Sequence, residues 1–134
     1  MLPFELIIKG TPVSSQTRNR QRLQGWKQQV RHAAQSITNA DDVAIQDNVC
    51  VTITYYYDGD SPDVDNIIKP IQDALNGVVF VDDAQVVETK SRKKSINGSY
   101  QIRGVSSLLL DAFSDGDEFV HIKVSEAPNP EVLD

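Results

Sequence analysis

The stretch from Asn48 to Gly77 constrains the fold most, because its apolar pattern changes from a strand period to a helix period. Apolar residues alternate along Val49, Val51, Ile53 and Tyr55, which predicts a half-buried strand from Asn48 to Tyr57. After a loop at residues 58–62, a helix is expected to begin near Asp65 or Asn66, both good N-cap residues. It should end at Asn76-Gly77, where glycine can adopt the left-handed conformation. A strand followed by a helix is therefore predicted here.

The rest of the chain continues this alternation. Strand patterns occupy Phe4–Lys9, Ala84–Lys94 and Glu118–Glu126, and apolar residues at three- and four-residue spacing predict a helix over Arg22–Ile37. The segment Gly104–Asp117 is ambiguous between a short helix and an irregular insertion. A chain of 134 residues is long enough to form one domain with a stable core that needs neither disulfides nor a structural metal.

Composition excludes several classes of protein. The single cysteine, Cys50, lies in an apolar run, so a buried inert thiol and a reducing compartment are expected. No segment approaches the roughly 20 apolar residues of a membrane helix. The first residues, 1–5, lack the order of a signal peptide. We therefore expect a cytoplasmic protein without a membrane partner.

Although the net charge is −6, the sequence contains two basic segments. No acidic residue occurs from Leu6 to Ala40, and a second basic run spans Thr89–Leu110, whereas the last 24 residues hold seven acids and one lysine. A polyanion such as DNA could bind the basic segments, although either could equally be an ordinary solvated surface. The candidate DNA-binding residues are Arg18, Arg20, Arg22, Lys27, Arg31, Lys90, Arg92, Lys93 and Lys94.

Between the two basic segments lies a block of carboxylates. Asp65, Lys69 and Asp73 are spaced to share one face of the predicted helix, Asp63 lies just before them, and Asp82-Asp83 follow. Bunched carboxylates repel one another, and their oxygens suit Mg²⁺ or Mn²⁺. Alternatively, Asp65 and Asn66 merely cap the helix and Lys69 pairs with Asp73 on the surface.

Other acidic or metal-binding motifs do not match. An EF-hand beginning at Asp58 would have Pro62 at position 5 and Lys69 at position 12, neither of which is a suitable ligand. The sequence has no glycine-rich phosphate loop and no zinc spacing of cysteine and histidine. The two histidines, His32 and His121, are interpreted as framework residues.

The block as a whole resembles the signature of the RusA family of Holliday-junction resolvases, which are small and often prophage-encoded endonucleases. The resemblance covers Asp63-x-Asp65-Asn66-x-x-Lys69-x-x-x-Asp73-Ala74-Leu75-Asn76-Gly77 and the following Asp82-Asp83-Ala84-Gln85-Val86. Order and spacing agree over both parts. The N-terminal strand, Lys9-Gly10-Thr11-Pro12 and the basic helix are similar more loosely.

This resemblance implies a homodimeric α+β fold with a small mixed sheet of about four strands and two main helices. It implies Mg²⁺-dependent cleavage of four-way DNA junctions in recombination and repair, with Mn²⁺ as a possible substitute. The family's metal-binding aspartates correspond to Asp63, Asp65 and Asp83, and its catalytic lysine to Lys69. Asp73 and Asp82 are expected to support the site. The endonuclease domain is assigned to residues 1–127 and an acidic tail to residues 128–134.

Two departures from the family pattern leave alternatives open. The loop at residues 58–62 is acidic, and the tail and the segment Gly104–Asp117 have no obvious counterpart in the family. A nuclease for other branched DNA, and a non-catalytic DNA-binding or protein-interaction module of the same fold, therefore remain alternatives to a junction resolvase.

Overall fold

The computed structural model describes residues 2–38 and 42–134. Of the basic segment Leu6–Ala40, residues 39 and 40 lie outside this described part. The elements in chain order are β1 (Phe4–Lys9), α1 (Arg20–Ile37), β2 (Val49–Tyr57), α2 (Ile68–Leu75), β3 (Val86–Ser95), α3 (Ser107–Ser114) and β4 (Phe119–Glu126). Two short 3₁₀ turns, Val64–Asn66 and Asp83–Gln85, precede α2 and β3 respectively.

The four strands form one mixed sheet in the order β1-β4-β2-β3. β4 lies antiparallel to both β1 and β2, whereas β2 and β3 are parallel and are joined through α2. Parallel neighbours require a crossover connection, and α2 supplies it. The predicted four-stranded α+β fold is confirmed, and a third helix, α3, forms within the segment that the sequence left ambiguous.

The long helix α1 begins two residues earlier than its apolar pattern predicted. The side chain of Asn19 accepts a hydrogen bond of 3.0 Å from the backbone N–H of Arg22, which satisfies one of the free donors of the first turn. The buried residues of α1 follow helical spacing and face the sheet: Leu23, Trp26, Val30 and Ala34.

The predicted start of α2 is wrong. Asp65 and Asn66 lie in a 3₁₀ turn, and α2 begins only at Ile68, with Ile67 at the N-cap position. A proline in the first turn of a helix is tolerated, and Pro70 is buried there. The predicted end is confirmed, since Asn76 is the C-cap and Gly77 has φ of 81°. Similarly, β3 begins at Val86 rather than Ala84, because Asp83–Gln85 form a 3₁₀ turn.

The two faces of the sheet are covered differently. On the first face, α1 and α2 pack against the strands and form the main core, which includes Trp26, Ile53, Ile71 and Phe80. On the opposite face, which we call the second face, α3 covers one end with a smaller cluster around Tyr56 and Phe119. The rest of the second face carries polar and charged side chains. In the described part of the chain, no helix is long and apolar enough to span a membrane.

Candidate functional site

The turn that carries Asp63 and Asp65 follows β2 and is held by hydrogen bonds on both sides. Within the turn, the N–H of Asn66 donates to the carbonyl of Asp63 at 3.0 Å. The hydroxyl of Ser91 on β3 donates to the carbonyl of Val64 at 2.6 Å, and the N–H of Ser15 donates to the carbonyl of Asn66 at 2.8 Å. Both aspartate side chains belong to exposed residues. The backbone thus presents two carboxylates to solvent from a well-anchored turn.

The side chain of Asp73 lies between two lysines from different helices. Its Oδ1 is 2.8 Å from Lys69 Nζ on α2, and its Oδ2 is 3.2 Å from Lys27 Nζ on α1. The hydrogen bond with Asp73 raises the pKa of Lys69, and the charge of Asp83 adds a smaller contribution in the same direction. Burial acts to raise the pKa of Asp73, but the two lysines outweigh it and lower that pKa. At neutral pH, Lys69 is therefore a cation held in place by an ionised carboxylate.

The neighbouring residues Asp82 and Asp83 have different environments. Asp82 is the N-cap of the 3₁₀ turn and forms a capping box with Gln85. The side chain of Gln85 also donates to the carbonyls of Ile45 and Asp47, both at 2.7 Å. Asp83 is exposed, and its charge reaches Lys69. Asp82 therefore stabilises the turn, and that turn sets the position of Asp83.

The three candidate metal ligands are not gathered into one cluster. Within residues 2–38 and 42–134, no group of three histidine, cysteine, aspartate or glutamate side chains lies close enough to hold a metal ion. The chemistry of Asp63, Asp65 and Asp83 nevertheless fits Mg²⁺ or Mn²⁺, because both prefer carboxylate oxygen. In the chain, Asp63 and Asp65 follow the end of β2 and Asp83 precedes the start of β3, with α2 and its Lys69 between them.

Of the candidate DNA-binding residues in the first basic segment, three are exposed arginines and two bond to α2 or its C-cap. Arg18, Arg20 and Arg22 are exposed, and Arg22 lines a groove of about 430 Å³ together with Asp60 and Ser61. This groove adjoins the loop that leads to Asp63. The other two candidate DNA-binding residues of this segment contact α2 and its C-cap, since Lys27 pairs with Asp73 and Arg31 donates to the carbonyl of Asn76 at 3.2 Å.

The candidate DNA-binding residues of the second basic segment lie on β3 and project from both faces of the sheet. Lys93 lies on the first face, where its Nζ donates to Ser61 at 3.0 Å and lies 5.7 Å from the ring centroid of Tyr57. Lys90, Arg92 and Lys94 line a cavity on the second face. Alternation along a strand produces this division. Only Lys93 of this set shares a face with the aspartates of the turn.

Sequence reasoning missed Glu118, which anchors the loop ahead of Asp63. The Glu118 carboxylate accepts hydrogen bonds from the Tyr55 hydroxyl at 2.9 Å, from the Asp58 N–H at 3.3 Å and from the Thr11 hydroxyl. Burial opposes ionisation, but these bonds lower the pKa of Glu118. Burial and the bond to Glu118 raise the pKa of Tyr55 to about 12. No local sequence signal marks Glu118, because its partners are distant in the chain.

Comparison with known proteins identifies the family of the chain. The family model described as "Endodeoxyribonuclease RusA" matches residues 8–102, which is more than half of the chain. The chain belongs to the RusA family. The RusA match contains the turn, α2, Asp83 and the basic residues of α1 and β3, and it ends before α3 and β4.

A curated relative adds a short local likeness. The chain is 53% identical over 32 residues to "Uncharacterized protein YqaN" of Bacillus subtilis (strain 168). This match covers 24% of the chain and 22% of that relative, so it spans about a fifth of the relative's length.

Proposed function

We propose that this protein is a divalent-metal-dependent endodeoxyribonuclease that cleaves branched DNA and resolves four-way junctions. The observation that carries the proposal is the RusA family match across residues 8–102, which contain the ordered set Asp63, Asp65, Lys69 and Asp83. Magnesium is the metal that we assign, with manganese as a substitute.

Hydrolysis of a phosphodiester needs an activated water, stabilisation of the charge on the phosphorane and a proton for the departing 3′ oxygen. Asp63, Asp65 and Asp83 would hold the metal. When bound, a divalent cation lowers the pKa of a water and offsets phosphate charge. Because the three carboxylates do not form one cluster in the described residues, binding of the metal would have to draw them together.

Lys69 contributes a fixed positive charge, and of the three carboxylates the charge of Asp83 reaches it. Asp73 holds its ammonium group at 2.8 Å and favours its protonated form. A protonated lysine can stabilise the developing charge on a scissile phosphate or donate a proton to the leaving oxygen. Asp73 therefore acts as a positioning residue for Lys69.

DNA binding is assigned to the exposed basic residues on either side of the aspartates. Arg18, Arg20 and Arg22 lie before the turn in the chain, and Lys93 adjoins the same loop through Ser61. A four-way junction has two-fold symmetry, and a homodimer would present one active site to each equivalent strand. We therefore propose that the active form is a homodimer, which sedimentation equilibrium with and without junction DNA can test.

The experiment compares a synthetic four-way junction, a flap and a linear duplex of equal length, each with Mg²⁺, with Mn²⁺ or with a chelator. We expect paired symmetric cuts in the junction, slower cutting of the flap and no cutting in chelator. Faster cutting of the flap than of the junction would indicate a nuclease for other branched DNA rather than a junction resolvase. Binding without cutting under every metal condition would support the non-catalytic alternative.

Asp65→Asn tests the site itself, because it removes one charge and keeps the side-chain volume. The variant should bind the junction and fail to cut it, and Asp83→Asn should behave in the same way. Asp60→Asn is the matched control, since it removes an exposed charge from the preceding loop outside the proposed ligands. Cleavage by Asp65→Asn at the rate of Asp60→Asn would refute the ligand assignment.

A further inference from the structure

A second cavity lies on the opposite side of the sheet from the aspartates. It has a volume of about 620 Å³ and is lined by β2, β3 and β4 on one side and by the chain from Tyr100 to Phe113 on the other. This chain segment leads into α3 and mostly lies beyond the family match. None of the proposed metal ligands lines the cavity.

Strand register brings basic side chains together on the cavity floor. Thr52 of β2 is paired with Lys90 on one side and with Lys123 on the other. Two residues further along β2, on the same face, Thr54 is paired with Arg92 and with His121. Directly paired residues on one face of a sheet are neighbours, so cations from two strands converge on a pair of threonines.

Little negative charge balances these cations. Among the described residues, Glu5 is the one carboxylate in the cavity lining, and its Oε2 accepts hydrogen bonds from His121 at 2.7 Å and from Ser106 at 2.8 Å. Its charge also reaches Lys123, its directly paired neighbour on β4. Lys90 has one carboxylate within ion-pair distance, Glu88 at 3.7 Å, while Arg92 donates to the Thr54 hydroxyl at 3.1 Å. Such an excess of positive charge in a concave site favours an anionic ligand.

One of the residues that line the cavity has a buried polar atom without a hydrogen-bond partner in the described part of the chain. His121 is 6% exposed, and its Nε2 donates to Glu5, whose ionised carboxylate only accepts. Its Nδ1 has no hydrogen-bond partner among the residues that the structure describes. Buried polar atoms are normally paired, and an unpaired one often indicates an absent polar partner.

The far end of the cavity is aromatic rather than charged. Tyr56, Tyr100 and Phe113 line it, and Tyr56 packs edge-to-face on Phe113 with ring centroids 4.8 Å apart. Lys94 Nζ lies 5.6 Å from the ring centroid of Tyr100. Cations beside an aromatic surface are the combination that binds the phosphates and bases of unpaired nucleic acid.

We propose that this cavity binds a nucleotide unit, with its phosphate on the Lys90, Arg92 and Lys123 side and its base against Tyr100. The nucleotide can be free or part of a single strand of DNA. The site is distinct from the cleavage site, and binding here does not depend on metal or on hydrolysis.

Isothermal titration in chelator tests the ligand class, using dTMP, thymidine, inorganic phosphate and a single-stranded dT hexamer as probes. We expect dTMP to bind at least tenfold more tightly than thymidine or phosphate. A hexamer that binds at least tenfold more tightly than dTMP would identify a DNA strand as the source, and equal affinities would identify the free nucleotide. Equal binding of phosphate and dTMP would refute the nucleotide assignment.

Variants distinguish binding in this cavity from non-specific attraction of dTMP to positive charge. Arg92→Gln combined with Lys123→Gln should weaken dTMP binding at least tenfold. Lys93→Gln, on the same strand but the other face, should change it less than twofold. Tyr100→Ala should abolish the preference for dTMP over phosphate, whereas Tyr100→Phe, which keeps the ring, should retain it. Equal losses in the double variant and Lys93→Gln would overturn the proposal.

The histidines give an independent readout on the unmodified protein. The chain has two, and His32 is exposed on α1, away from the cavity. In long-range ¹H–¹⁵N spectra, titration with dTMP should shift the His121 ring nitrogens and leave those of His32 unchanged. Unchanged His121 signals at a dTMP concentration that saturates calorimetric binding would place the nucleotide elsewhere and refute the proposed site. Junction cleavage is measured separately, so its failure would not affect this result.

Discussion

Replacing Asp73 by asparagine tests whether this carboxylate positions Lys69. The change keeps the side-chain volume and removes the charge shared by Lys27 and Lys69. The Lys69 pair is an i,i+4 pair whose lysine side chain is 69% exposed, so it contributes about 0.3–0.5 kcal/mol. The Lys27 pair is more shielded, with side chains 26% and 28% exposed, and contributes up to about 1 kcal/mol. The free energy of unfolding should therefore fall by up to about 1.5 kcal/mol.

Urea unfolding followed by the fluorescence of Trp26 measures this loss, since it is the single tryptophan and is buried in α1. A double-mutant cycle with Lys69→Met should return the smaller coupling energy, and one with Lys27→Met the larger. The pKa of Asp73 is lowered by folding, so its contribution is present above the ordinary value of 3.8 and is lost as the pH falls through the lowered value. The variant and the wild type should therefore converge in stability under strongly acidic conditions.

The catalytic consequence is a fall in rate without weaker binding. Lys69 stays protonated in the variant at neutral pH, but its ammonium group is no longer held at 2.8 Å from a fixed partner. We expect the cleavage rate at saturating junction to fall about tenfold, equivalent to about 1.4 kcal/mol of transition-state stabilisation. Loss of a negative charge should leave junction affinity equal or tighter. An unchanged rate together with unchanged stability would refute the positioning role.

Three further predictions concern the basic segment, the tail and the anchor of the loop. Replacing the three exposed arginines, Arg18, Arg20 and Arg22, by alanine should weaken DNA binding and reduce its salt dependence. The slope of log affinity against log salt, measured by fluorescence anisotropy, should become shallower by about 0.9 per lost phosphate contact, and an unaltered slope would show that these arginines form an ordinary solvated surface. Deletion of residues 128–134, which line a groove with Lys90, should modestly raise affinity for linear duplex, and a large fall in melting temperature would show instead that the tail is a packed element. Folding raises the pKa of Tyr55 to about 12, so its contribution is present below the ordinary value of 10.0 and is lost as the pH rises through 12. Between those two pH values, Tyr55→Phe should therefore lose less stability than the wild type in urea titrations.

Features that depend on local interactions could be predicted from the sequence. The ion pair between Lys69 and Asp73 follows from i,i+4 spacing on a helix, and the end of α2 follows from Asn76-Gly77. The order and spacing of Asp63, Asp65 and the later residues indicated the family. These features depend on residues that are near one another in the chain, so spacing is enough to predict them.

Tertiary structure alone decided which residues meet across the chain. Strand pairing put Arg92 of β3 and His121 of β4 on either side of Thr54, in the wall of the cavity. Glu118, which lies just before β4, became the hydrogen-bond partner of Tyr55 and of the Asp58 N–H. Each of these outcomes depends on which strands become neighbours. That choice is made by burial of apolar area over the whole core, to which no short stretch of sequence contributes enough to decide it.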